Sequence, residues 1–228
     1  MQKEKIYHQL LQIQEHCQQQ KKEHFILKCT TEHLQEFANN IATYWVNPEY
    51  LTKFTQPTFE EEVILDRKQI YDSYSFFKKE NPFVEVANNF QKTSIENFLM
   101  VLGQRLTPAT IRNEKGLPPV NETVCKASFT AYNTHVTKAV RAFEKHAERS
   151  TNSFWGQVKG SPQQKENHVR QLVTQILTHK TWWNVFYHYK HELIYEVRIA
   201  SGHGARWKKN NLEFIGFVEP FVDYENNS

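Results

Sequence analysis

Glycine is scarce and unevenly placed in this sequence of 228 residues. Only seven glycines are present, and the first of them is Gly103. Because glycine is the commonest residue at tight turns and just beyond helix ends, its absence from the first hundred residues predicts a mostly helical N-terminal region. Most of the glycines follow residue 155, where the pattern changes to strands and turns.

Cysteines and long apolar runs are also scarce. The three cysteines, Cys17, Cys29 and Cys125, are odd in number and widely spaced, which argues against a disulfide framework and favours a reducing compartment. No stretch approaches the roughly 20 apolar residues of a membrane helix, and the polar N-terminal residues do not resemble a signal peptide. We therefore expect an intracellular protein, cytoplasmic or nuclear, with no membrane partner.

The remaining composition is that of a globular protein. Hydrophobic residues make up 39% of the chain and charged residues 23%, which excludes a disordered composition. The length suits one large domain or two small ones. A net charge of +3 permits contact with nucleic acid without requiring it.

The best internal boundary is the Pro118-Pro119 pair. We expect a helical region over residues 1–116 and an α+β domain over residues 117–228. In the second part, apolar residues at helical spacing predict one helix over residues 128–149 and another around residues 169–177.

From Trp182 onward the apolar period approaches two. Leu193, Tyr195, Val197 and Ile199 alternate with other residues, as in a strand. Turn residues then separate two further strands, around residues 205–208 and 212–218. The fold class predicted is α+β: a helical N-terminal region, then two helices packed on a C-terminal antiparallel meander of three or four strands.

The densest group of chemically active residues lies on this predicted meander. Arg198, Arg206 and Glu219 converge on one sheet face if their strands are adjacent, and His203 lies between two glycines. Guanidinium groups bind phosphate or carboxylate through two parallel hydrogen bonds. The competing interpretation is structural, with Glu196 or Glu219 pairing with an arginine across the strands.

A second candidate group precedes the meander. Lys145, His146 and Arg149 share the end of a predicted helix, and Trp155 follows in a loop. This set suits an anion or a nucleic-acid base, and Trp207 is a further aromatic candidate. Compensation of the helix dipole by the basic residues, and packing of Trp155 beneath its loop, are the structural alternatives.

Other chemistries have weak support. The histidines and cysteines lack metal-ligand spacing, so no metal site is predicted. No phosphate-binding loop or dinucleotide motif is present, so no cofactor is predicted either. Nucleophilic catalysis has no recognisable motif.

Several short strings carry a resemblance to a known family. They are 117–122 (LPPVNE), 144–150 (EKHAERS), 154–156 (FWG), 196–198 (EVR), 202–207 (GHGARW) and 214–220 (FIGFVEP). Over residues 117–220 the chain resembles a family of small, uncharacterised eukaryotic proteins. The resemblance implies no activity and no catalytic roles.

Three functions remain open. The first is a binding protein with a site for phosphate or nucleic acid on the C-terminal meander, formed by Arg198, Arg206, His203, Trp207, Lys145, Arg149 and Trp155. The second is an enzyme, a hydrolase or transferase for phosphate-containing substrates. In that case His203 or His146 is the acid or base, Arg198 and Arg206 hold the anion, and Glu196 or Glu219 orients the histidine. The third is an adaptor whose N-terminal helices bind a protein partner. We favour binding or adaptor function, with the enzyme as the alternative.

Overall fold

The computed structural model describes residues 2–78, 80–149, 153–157 and 159–221. It has the α+β fold that the sequence predicts, with helices first and a four-stranded sheet at the C-terminal end. Within the described ranges the α-helices are α1 (Gln2–Gln19), α2 (Thr31–Val46), α3 (Arg67–Asp72), α4 (Phe83–Gln91), α5 (Ile95–Val101), α6 (Asn121–Ser128), α7 (Lys138–Ala147) and α8 (Pro162–Thr178). None of these helices combines the length and the apolar composition needed to cross a bilayer.

The N-terminal helices pack through an apolar stripe and an aromatic cluster. On α1 the buried positions recur at helical spacing: Ile6, Leu10, Ile13 and Cys17. This stripe faces α2, where Phe37 stacks on Phe98 of α5 with ring centroids 4.8 Å apart. Burial of large apolar side chains is the main source of stability in such a helix pair.

Contacts cross the sequence boundary at Pro118. The hydrophobic core joins Leu34 and Leu99 to Val124 and Val173. The His33 ring on α2 also lies 2.8 Å from the Pro118 carbonyl oxygen. The division into residues 1–116 and 117–228 therefore stays a prediction from the sequence pattern.

The helix predicted over residues 128–149 is shorter than expected. Helix α7 begins only at Lys138. Before it, the Asn133 side chain accepts hydrogen bonds from the backbone N–H groups of His135 and Val136 and forms a local turn. Such side-chain bonds compete with helix formation, which is why apolar spacing overestimated this helix.

The sheet is a meander, as predicted. Its strands are β1 (Lys180–His188), β2 (His191–Ile199), β3 (Gly204–Lys208) and β4 (Phe214–Val218), and every neighbouring pair is antiparallel. In the β2–β3 register, Tyr195 lies opposite Trp207 and Glu196 opposite Arg206.

Strand alternation gives the sheet two distinct faces. The helix face, against which α8 packs, carries Tyr195, Val197, Ala205 and Trp207. The opposite face carries Glu196, Arg198 and Arg206. Both faces are largely buried near their centre, since Tyr195 and Glu196 are at most 1% exposed.

Candidate active site

Helix α7 runs beside the edge strand β4 and forms one wall of a groove of about 460 Å³. At the start of the helix, Lys138 Nζ donates to Glu213 Oε1 at 2.9 Å. Basic residues then recur at spacings of three or four along the groove: Lys138, Arg141, Lys145 and Arg149. This spacing places them on one helix stripe, so the wall of the groove is positively charged.

His146 lies at the far end of this groove. Its Nε2 atom is 2.8 Å from Glu219 Oε1, just beyond β4. A carboxylate at this position favours the tautomer in which Nε2 carries the proton. Among the described residues, His146 Nδ1 has no hydrogen-bond partner, so this nitrogen is available to a ligand as an acceptor.

The carboxylate of Glu219 joins three side chains. Besides His146, its Oε1 accepts a hydrogen bond from Trp155 Nε1 at 2.9 Å. Its Oε2 lies 3.6 Å from His203 Nε2. Glu219 is 39% exposed at its side chain, so the carboxylate sits at the surface end of the cluster.

His203 is the buried member of the cluster, with 5% of the residue exposed. Phe154 stacks on its ring at 4.0 Å, and Ser201 Oγ lies 2.9 Å from His203 Nδ1. Burial lowers the pKa of His203, the Glu219 carboxylate opposes this, and the nearby charges of Arg198 and His146 lower the pKa further. His203 is therefore a neutral ring at pH 7 that supports Glu219 from the protein interior.

Trp155 packs beneath its loop, as the structural alternative predicted. It is fully buried, and its indole lies edge-on to both His146 and His203. The ring of His168 on α8 is hydrogen-bonded to the Trp155 backbone oxygen at 2.8 Å. Trp155 thus positions Glu219 and separates the two histidines.

The arginines of the meander lie on the opposite face of the sheet. Arg198 Nε donates to Glu196 Oε1 at 2.5 Å, and Arg206 Nε donates to the other oxygen of the same carboxylate. Glu196 and Arg198 are almost fully buried. The Arg198 guanidinium also lies 3.8 Å from the centre of the Phe221 ring. The Arg206–Glu196 pair matches the structural alternative of cross-strand pairing, whereas Arg198 pairs with Glu196 within β2.

Arg198 nevertheless connects the two faces. Its Nη1 donates to the backbone oxygens of Gly202 and Glu219, each at 2.6 Å. Gly202 precedes His203 in the β2–β3 turn. The Arg198 guanidinium therefore binds the backbone next to His203 and the backbone of Glu219 itself. Burial lowers the pKa of Arg198, and the Glu196 carboxylate opposes that effect.

The structure therefore divides the predicted site residues into two groups. It brings His146, Trp155, His203 and Glu219 together, with Lys145 exposed on α7 and Arg149 exposed just beyond its end. It leaves out the side chains of Glu196, Arg206 and Trp207, and Arg198 reaches the group only through the backbone oxygens of Gly202 and Glu219. Trp207 is fully buried on the helix face, where its Nε1 donates to Ser128 Oγ at 2.9 Å.

Sequence reasoning missed four residues of this region. Lys138 and Arg141 extend the basic stripe of α7, and their spacing from Lys145 is the signal that identifies them. Phe154 and Ser201 contact His203. Ser201 is only two residues from His203, so sequence proximity was a signal for that contact, although such pairs are frequent by chance. Nothing in the local pattern indicates the stacking of Phe154 on His203.

A metal centre is not evident in this region. Across the described ranges, no three histidine, cysteine, aspartate or glutamate side chains are grouped so that they could hold a metal ion. The cluster at Glu219 is instead linked by hydrogen bonds.

Comparison with known families gives one match. Residues 125–219, less than half of the chain, match the model of the CdiA C-terminal tRNase toxin domain. The resemblance to small, uncharacterised eukaryotic proteins is therefore wrong. No curated protein and no solved structure matches the chain. The matched segment contains all of α7, α8 and the sheet, and it ends at Glu219, so this chain is similar to a tRNase toxin domain across the whole candidate active site.

Proposed function

We propose that the C-terminal part of this chain is a ribonuclease that acts on tRNA. The observation that carries the proposal is the His146–Glu219 pair, which ends a basic groove inside the segment similar to a tRNase toxin domain. The anion site then lies in the groove between α7 and β4. This replaces the location on the meander face that was expected from Arg198 and Arg206.

The groove supplies positive charge for a phosphate backbone. Lys145 and Arg149 are exposed, and neither forms an ion pair with another described residue. Lys138 is already paired with Glu213, so it contributes less net charge. Lysine and arginine contacts to phosphates supply most of the sequence-independent affinity for nucleic acid.

His146 is the proposed general base. With Nε2 held by Glu219, its Nδ1 accepts the proton of a ribose 2′-hydroxyl. The 2′-oxygen then forms a bond to the adjacent phosphorus while the bond from phosphorus to the 5′-oxygen breaks. The imidazolium returns the proton to the leaving 5′-oxygen. The products are a 2′,3′-cyclic phosphate and a 5′-hydroxyl.

The other cluster members position this pair. Trp155 and His203 hold the two oxygens of Glu219, and both are buried. Lys145 and Arg149 stabilise the extra negative charge on phosphorus in the transition state. His203 is a positioning residue in this scheme, since its ring is covered by Phe154.

The test is cleavage of bulk tRNA by the purified chain, followed on denaturing gels with analysis of the new RNA ends. We expect ends with a cyclic phosphate. His146→Ala is expected to reduce the rate about 10²- to 10⁴-fold, the usual contribution of a general base. The matched control is His135→Ala, because His135 is exposed in the turn before α7.

Two results oppose the proposal. Absence of cleavage by the folded wild-type chain across a range of RNAs, with or without divalent cations, would remove the enzymatic function. Equal loss of activity in His135→Ala and His146→Ala would show that the loss does not depend on the His146–Glu219 pair. A protein partner for the N-terminal helices and an intracellular location stay predictions from the sequence.

A further inference from the structure

A second concave surface lies at the opposite end of the sheet, at the turn that joins β1 to β2. It encloses about 940 Å³. We call it the hairpin surface and define it by Lys115, Tyr187, Tyr189, Lys190 and Lys209. Among the residues whose side chains the structure describes, the lining of this cavity includes three lysines and no carboxylate, which favours a positive charge.

The lysines of the hairpin surface are not neutralised. Within the described part of the chain, Lys115, Lys190 and Lys209 form no ion pair. Lys209 is half-buried, and the loss of water on burial lowers its pKa. A phosphate group bound here offsets the loss of water and stabilises the charged form of Lys209.

The tyrosines add flat, accessible rings. Tyr187 is 58% exposed and Tyr189 is 85% exposed. The Lys190 ammonium lies 5.2 Å from the centre of the Tyr189 ring. Exposed aromatic rings beside lysines are the arrangement on which nucleic-acid bases stack.

Residues that directly follow the hairpin surface in the sequence lead towards the α7–β4 groove. Lys209 and Asn210 line the hairpin cavity, and the next residue, Asn211, lines a smaller cavity of about 320 Å³ together with Lys138 and Glu213. Lys138 and Glu213 also line the groove that ends at His146. Glu213 does not interrupt this path, because its negative charge is balanced by two lysines. Hydrogen bonds from Lys208 and Lys138 lower the pKa of Glu213 to about 2, so the carboxylate stays ionised and paired.

We infer that the hairpin surface binds a second part of the same RNA, so that the substrate follows one track from the His146–Glu219 pair to the β1–β2 turn. Strand β2 separates the two ends, and its nine residues span about 26 Å at the usual rise per residue. A dinucleotide is too short to reach both ends, whereas a longer RNA such as tRNA can. This inference rests on the proposed ribonuclease function.

The test measures binding rather than cleavage. The His146→Ala chain is titrated against labelled bulk tRNA, with and without Lys115→Gln, Lys190→Gln and Lys209→Gln. We expect the triple change to weaken binding at least tenfold and to reduce the slope of log affinity against log salt by about 2 to 3, or slightly less than one per phosphate contact. Tyr189→Ala is expected to weaken binding about fivefold or more through lost stacking.

The matched control is Lys21→Gln, Lys28→Gln and Lys92→Gln. These three lysines are exposed in the N-terminal region and form no ion pair within the described ranges, so the net charge changes equally. Melting temperatures check that each variant folds, and Tyr189→Ala is informative if the Lys209 change destabilises the protein.

The outcomes separate this inference from the proposed function. Wild-type cleavage of tRNA, together with unchanged affinity and salt slope in both the lysine and Tyr189 variants, overturns the inference and leaves the ribonuclease intact. Weakened tRNA binding without any wild-type cleavage supports the track and removes the catalytic role of His146. If the triple change of the control lysines weakens tRNA binding equally, the inference is also overturned, since the effect then depends only on net charge.

Discussion

His146 and Glu219 are 73 residues apart in the sequence, yet their side chains meet at 2.8 Å. The contact joins the end of α7 to the residue that follows β4. The Glu219 carboxylate therefore favours one tautomer of the His146 imidazole at the end of the basic groove. Trp155 and His203 hold the same carboxylate from the protein interior.

Replacing Glu219 by glutamine tests this relationship directly. The amide still accepts a hydrogen bond from Trp155, but it has no charge to stabilise the imidazolium of His146. We expect tRNA cleavage to fall about 10²- to 10⁴-fold, by analogy with the loss of an orienting carboxylate elsewhere. Single-turnover rates measure the loss, and the melting temperature should change little. A rate equal to that of the wild type would contradict the assigned role.

The exposed cations beside His146 are expected to contribute to RNA affinity. Changing Lys145 and Arg149 to glutamine removes two phosphate contacts. The slope of log affinity against log salt should then fall by about 1.4 to 1.8. Filter binding at several salt concentrations measures it. The double change of Lys21 and Lys28 to glutamine is the control, and an equal effect there would indicate no localised site.

Removal of the buried carboxylate of Glu196 is expected to destabilise the fold. Glu196→Gln leaves Arg198 and Arg206 without their shared counter-ion, and we expect a loss of about 3–5 kcal/mol of unfolding free energy. Urea denaturation provides the measurement. The same substitution at Glu122, which pairs with Lys126 in full exposure, should leave the unfolding midpoint unchanged. Equal midpoints for the two variants would show that the Glu196 network is not stabilising.

Acid sensitivity is expected from His33 on α2. Its Nδ1 accepts from the Thr30 backbone N–H while Nε2 faces the Pro118 carbonyl, so the folded state holds the neutral ring. Burial lowers the pKa of His33 from its ordinary value of 6.5, although hydrogen bonding to Pro118 and the charges of Glu36 and Glu32 oppose the shift.

The direction of the pH effect follows from this lowered pKa. The unfolded chain binds the proton more readily, so the stabilisation is complete above pH 6.5 and is lost as the pH falls through the folded-state pKa. His33→Gln retains a capping side chain but does not titrate. Its melting temperature should fall less between pH 7 and pH 5 than that of the wild type. His135→Gln serves as the exposed control, and parallel curves for wild type and His33→Gln would exclude this contribution.

The local sequence pattern was sufficient to predict the α+β architecture. Scarce glycine predicted the helical N-terminal region, and a period of two with intervening turn residues predicted the meander. The same reasoning selected His146, Trp155, His203 and Glu219 as candidates. It failed where a side chain competes with the backbone, as at Asn133, which delays the start of α7.

The sequence by itself therefore determined the fold class and selected most of the candidate residues. Only the tertiary structure decided which of them meet. The alternation of side chains along a strand predicts that Arg198 and Arg206 can share a face of the sheet. In the folded protein this face is buried around Glu196, and the Glu219 carboxylate contacts α7 instead. The reason is physical: spacing along a chain sets neighbours within one element, whereas the contacts of the site join α7, the Trp155 loop and the ends of β2, β3 and β4, which meet only when the core is formed.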